Sequence, residues 1–76
     1  MLTIYSKSNC QQCDSAKLLC TMKGVEIEVK MLDKDFTREE LITLAPNTRS
    51  FPVIFDGDTL IGGLVELKEV LVNQAH

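Results

Sequence analysis

The chain has 76 residues, 45% of them apolar, and a formal net charge of −3, which leaves room for one small core and no second one. An acidic balance with a pI near 4.9 and no basic run argues against nucleic acid as a partner, and the apolar stretches are too short to cross a bilayer. Three cysteines, an odd number, and an opening Met1-Leu2-Thr3 that lacks a leader pattern do not suit a secreted disulfide scaffold; a reducing cytoplasm fits best.

Leu2-Thr3-Ile4-Tyr5 reads as a first strand, Ser6 to Asn9 as a loop, and Gln11 to Lys23 as a first helix. Where loop gives way to helix stands Cys10-Gln11-Gln12-Cys13. Two thiols at this spacing can close a disulfide with little rearrangement. The first sits where unpaired amides and the positive end of the helix dipole stabilise a thiolate. A C-x-x-C beside a β-α-β pattern is a redox motif first. Ala16, Leu19 and Cys20 fall on one side of the helix, with Leu18 and Met22 adjacent, and Gly24 supplies its stop. Asp14 reads as a solvated first-turn acid, and Cys20 as a small buried residue without a redox role.

Val25, Ile27, Val29 and Met31 alternate with Glu26, Glu28 and Lys30, a pattern that suits an edge strand with one buried face. Thr37-Arg38-Glu39-Glu40 is a capping box that starts a second helix, with Phe36 and Leu41 placed to form the hydrophobic staple. Ala45-Pro46-Asn47 ends that helix, because proline cannot extend it. Pro52-Val53-Ile54-Phe55 is continuously apolar, as a central strand covered on both faces would be. Asp56-Gly57-Asp58 turns the chain back into Thr59-Leu60-Ile61. Gly62-Gly63 leads into a last helix with a stripe of Leu64, Leu67, Val70 and Leu71; His76, the only histidine, ends the chain and is expected to fray. A right-handed crossover makes strands one and two parallel, the final hairpin adds antiparallel strands, and helices cover both faces.

The segments Tyr5 to Cys13, Ser50 to Phe55 and Ile61 to Leu64, together with this element order, resemble the glutaredoxins of the thioredoxin superfamily. The resemblance spans essentially the whole chain, read as a single domain over 1–76. It implies an α/β thioredoxin-like fold, a four-stranded mixed sheet of order 2-1-3-4 flanked by three helices. It also implies a cis Phe51-Pro52 bond lying against the thiols, with the backbone of Phe51 free to pair with an extended substrate. Residue chemistry alone favours a proline that merely opens a strand, where its missing amide does little harm.

By the same resemblance, Cys10 is the attacking thiolate and Cys13 the resolving thiol, with Lys7 favouring the anion on Cys10. The implied substrate is glutathione, alone or joined to another thiol. Lys7 and Arg49 are cations suited to its glycyl carboxylate, Phe51 and Pro52 give the strand edge, and Gln12 adds a hydrogen bond. The amides after Gly62-Gly63, through Leu64, suit its γ-glutamyl carboxylate, and Glu66 suits its amine. As plain residues, Lys7, Arg49 and Glu66 are also ordinary surface charges, and Gly62-Gly63 an ordinary turn.

This chain departs from the family in three ways. It has Gln-Gln between the cysteines where dithiol members usually have Pro-Tyr, Phe51 where valine is customary, and Leu64-Val65 where Cys and a polar residue are frequent. A Gln before the second cysteine is closer to the NrdH-redoxins, which thioredoxin reductase reduces and which lack the Gly-Gly site. The implied activity is dithiol reduction of protein disulfides and glutathione mixed disulfides with electrons from glutathione, with no tightly bound cofactor. Ribonucleotide reductase is a client suggested by resemblance, and a monomer is expected. One alternative is an NrdH-type donor indifferent to glutathione. Another is a zinc or iron–sulfur module, for which the only further ligands are Cys20 and His76.

Overall fold

A computed structural model of the chain describes residues 1–46 and 50–74, so the expectations attached to Asn47, Arg49 and His76 lie outside the described residues. The elements run β1 (Leu2–Ser6), α1 (Gln11–Met22), β2 (Ile27–Met31), α2 (Arg38–Leu44), β3 (Val53–Asp56), β4 (Thr59–Gly62) and α3 (Leu64–Gln74). The sheet order is β2-β1-β3-β4, with β1 parallel to β2, antiparallel to β3, and β4 antiparallel to β3. This is the expected mixed sheet, and the anticipated cis Phe51-Pro52 bond is present.

Each face of the sheet has its own core. Leu2, Ile4 and Ile54 point to one face, where Ala16 and Cys20 of α1 and Leu67 and Leu71 of α3 cover them. Tyr5, Val53 and Phe55 point to the other, where Phe36, Leu41 and Ala45 pack. The alternation of directions along a strand is what lets the apolar run of β3 serve both clusters. On the α2 side Tyr5 meets Phe36 and Phe55 edge-on, at centroid distances of 5.0 and 5.7 Å, an arrangement worth about 0.5–1.5 kcal/mol per pair beyond buried area.

Local signals set the helix ends. At the end of α1 the Val25 N–H donates to the Cys20 carbonyl and the Gly24 N–H to the Thr21 carbonyl, with Gly24 at φ 69°. That is a Schellman motif, which needs the left-handed conformation glycine adopts freely. It also explains why β2 begins at Ile27 and not at Val25: the Val25 amide is already committed to the helix end. At the start of α2, the Thr37 side chain accepts from the Glu40 N–H, and the Glu40 carboxylate accepts from the Thr37 N–H. Phe36 and Leu41 join the same cluster, as the staple requires.

Three expectations need correction. Leu18 and Met22 do not join the α1 core; they are 60% and 74% exposed, because Cys13, Ala16 and Cys20 set the buried stripe on the opposite side. β1 continues through Ser6, whose buried hydroxyl lies 3.0 Å from the Met31 sulfur and so has a partner away from water. The charged side of β2 is not uniformly wet, since Lys30 is half-buried with its Nζ 5.7 Å from the Tyr5 ring centroid.

Candidate functional site

Cys10 is the N-cap residue of α1, in extended conformation (φ −113°, ψ 102°), and its Sγ accepts the Cys13 N–H at 3.2 Å. A sulfur in the place of the usual capping oxygen lies among orphan amides at the positive end of the helix, and both features favour its anionic form. The Cα atoms of Cys10 and Cys13 are 5.2 Å apart and their sulfurs are at bonding distance, within the span that disulfides require. Cys13 is fully buried and Cys10 half-buried, so solvent and partners reach only the first sulfur. Asp14 is solvated, its side chain 78% exposed and paired with Lys17 at 3.5 Å.

Around Cys10 lies an open groove of about 440 Å³, lined by Lys7, Gln12, Arg38, Ser50 and Phe51 among others. Its described lining contains two cations and no acid. The Phe51 ring rests against Phe36 at 6.3 Å, and the Lys7 Nζ stands over that ring at 5.6 Å from its centroid. Phe51 therefore links the groove to the aromatic core and gives Lys7 a surface to lie on. Pro52 is buried behind it.

The sequence-derived candidates fall into two groups. Lys7, Cys10, Gln12 and Phe51 share the groove. Gly62, Gly63, Leu64 and Glu66 form a second group at the start of α3. The two approach each other near Pro52, whose carbonyl lies 3.5 Å from where a Cβ on Gly63 would stand. Leu64 packs its side chain on the α1/α3 core, leaving its backbone at the helix mouth. Gly62 has φ 126°, and a Cβ there would meet the Glu66 side chain at 2.8 Å. The Glu66 carboxylate accepts the Gly63 N–H at 2.8 Å.

Among the groove residues that sequence reasoning missed, Arg38 is the charged one. Its position at the first turn of α2 follows from the Thr37 capping box, but only the packing of α2 on β1 and β3 brings that turn to Cys10. Among the described residues, no group of three or more His, Cys, Asp or Glu is placed to hold a metal ion, and no helix is long and apolar enough to cross a membrane.

Cys20 is a free, buried cysteine, and desolvation pushes its thiol above the ordinary value of 9.0. With a folded-state value above the unfolded one, the unfolded chain releases this proton first as pH rises. The Cys20 contribution to stability is therefore constant below about pH 8 and declines from about pH 9 upward. Urea unfolding of the Cys10–Cys13 disulfide form should show a steeper loss of stability between about pH 8 and about pH 10 than Cys20→Ala does. Equal slopes in the two proteins would refute the assignment.

The chain matches the sequence profile of the glutaredoxin family over residues 2–61. It is 32% identical to the glutaredoxin-like protein NrdH of Salmonella typhimurium over 76 residues, covering 99% of this chain and 88% of that one. It is 40% identical over 65 residues to a protein of Synechocystis sp. named a probable glutaredoxin, covering 84% of this chain and 60% of its relative's length. Among solved structures, the buckwheat glutaredoxin–glutathione complex superposes with a TM-score of 0.81 at 25% identity, over 96% of this chain and 69% of that one. The NrdH-redoxin of Escherichia coli superposes with a TM-score of 0.73 at 28% identity, over 99% and 93% of the two chains.

Proposed function

Because the chain belongs to the glutaredoxin family, we propose that it is a cytoplasmic dithiol oxidoreductase that takes electrons from glutathione and reduces protein disulfides and glutathione mixed disulfides. The observation that carries this reading is the pairing of a reachable sulfur at a helix mouth with a buried one behind it, beside a groove whose cations are Lys7 and Arg38.

The Cys10 thiolate attacks one sulfur of a client disulfide; a Cys10–client bond forms and the client's other sulfur leaves as a thiolate and takes a proton. The Cys13 thiol gives up its proton and attacks Cys10 Sγ, releasing the client's second thiol and closing the Cys10–Cys13 disulfide. Two electrons have then passed to the client. One glutathione thiolate opens that disulfide at Cys10, and a second attacks the glutathione sulfur, giving glutathione disulfide and restoring both cysteines.

In this reading Lys7 and Arg38 attract the glycyl carboxylate, Gln12 adds a hydrogen bond, and the main chain of Phe51, ahead of Pro52, pairs with the extended ligand. The amides that follow Gly62-Gly63 at the start of α3, Leu64 among them, receive the γ-glutamyl carboxylate; glycine at the N-cap brings no side chain to cap that first turn. Arg49 stays a candidate cation on sequence grounds.

A second reading has its own support in the identity to NrdH across nearly the whole chain and in Gln12 before the second cysteine. In it, thioredoxin reductase supplies the electrons, and ribonucleotide reductase is a client. Reduction of the oxidised protein by glutathione, set beside reduction by NADPH and thioredoxin reductase, separates the two. The glutathione reading predicts turnover with glutathione, and a KM raised roughly tenfold in the Lys7→Gln/Arg38→Gln double variant, each lost charge-assisted contact accounting for a few-fold. Brisk reduction by the reductase and none by glutathione would overturn it.

A further inference from the structure

Within the reading that the glycine-led start of α3 seats the γ-glutamyl carboxylate, we infer that Glu66 is a specificity-determining residue that competes with that carboxylate and biases the protein away from glutathione. Gly63 is the N-cap of α3: its carbonyl accepts the Leu67 N–H at 3.0 Å, which places Glu66 at the third helical position. A glutamate there reaches back to the cap residue's own amide, and this one does, at 2.8 Å. The same side chain fills the space over Gly62, whose missing Cβ would lie 2.8 Å from Glu66 Cγ and 2.9 Å from Oε1.

The glycine pair thus has an occupant already. The room that glycine leaves at position 62 is taken by an anion of the chain itself, which also holds the Gly63 N–H next to the amides a ligand carboxylate would use. An incoming carboxylate lies beside a like charge and reaches the Gly63 N–H only by displacing that bond. Glu66 is exposed, so the bond breaks at modest cost. The effect is a graded bias and not a block. Disulfide partners without a γ-glutamyl group do not meet it.

The roles of Glu66 as competitor and as acceptor for the ligand's amine predict opposite signs. Oxidised wild-type, Glu66→Gln and Glu66→Ala proteins are reduced in turn by glutathione and by the dipeptide Cys-Gly, which has the same thiol and glycyl carboxylate but no γ-glutamyl group. The competitor role predicts that the ratio of second-order rate constants, glutathione over Cys-Gly, rises in the order wild type, Glu66→Gln, Glu66→Ala. The total rise should be roughly threefold to tenfold, the worth of one hydrogen bond and one like charge near water. Glutamine keeps the bond but removes the charge, hence its middle place. Amide exchange at Gly63 should also quicken in Glu66→Ala.

A ratio that falls in Glu66→Ala, or that stays level while the wild type prefers glutathione, would overturn this inference and leave glutathione as the reductant. A wild type and both variants that treat the two thiols alike would instead sink the glutathione seat itself.

Discussion

Cys10→Ser is expected to abolish turnover on every substrate, while Cys13→Ser keeps part of the rate on glutathione mixed disulfides and loses dithiol reduction of proteins. The first substitution leaves the fold intact. Serine is among the best N-cap residues, and its oxygen can accept the Cys13 N–H that the sulfur now accepts at 3.2 Å. What vanishes is the nucleophile, since a hydroxyl has no ionised form near neutral pH without an adjacent base to deprotonate it. Cys13→Ser differs because position 13 is fully buried, and the new hydroxyl costs about 1–3 kcal/mol if unpartnered. Cys13→Ala therefore accompanies it, with circular dichroism to show that each variant is folded. Turnover surviving in Cys10→Ser would reverse the roles of the two sulfurs. Equal loss of both activities in folded Cys13→Ala would mean that mixed disulfides also require the second thiol.

The largest expected effect on stability is at Leu67. Its side chain is wholly buried where α3 meets Ile4, Ile54, Ala16 and Cys20. Truncation to alanine removes buried surface and leaves a cavity, costing about 2–5 kcal/mol. A chain of this length has a stability on the order of 5 kcal/mol, so most of the margin goes. The urea midpoint should fall by at least roughly 1 M, whereas Leu67→Met should cost less than about 1.5 kcal/mol. A Leu67→Ala midpoint within a few tenths of a molar of the parent would show that α3 contributes little to folding.

The elements with strong local chemistry were legible in the sequence. The Thr37 box, the Gly24 stop, the strand ending at Met31 and the apolar run at Val53–Phe55 each have one dominant explanation, and each is present, although the inside–outside alternation of β2 breaks at Lys30. The thiol pair was legible for the same reason: its chemistry depends on four consecutive residues and a helix start. Leu18 and Met22 misled because a helix with several apolar positions has more than one possible stripe, and only the sheet decides which is covered. Arg38 was hidden because it is remote in sequence from Cys10, and docking of α2 is a tertiary event. Glu66 was visible as a charge, but its bond to Gly63 depends on a side-chain path that spacing alone leaves open.

The ring contacts that run from Phe55 through Tyr5 and Phe36 to Phe51 have a practical side. The chain has no tryptophan and a single tyrosine, so one phenol supplies nearly all of its near-ultraviolet emission. That chromophore is two aromatic neighbours away from the groove beside Cys10. The molecule thus has a built-in optical reporter of events at its redox centre, readable without any attached dye.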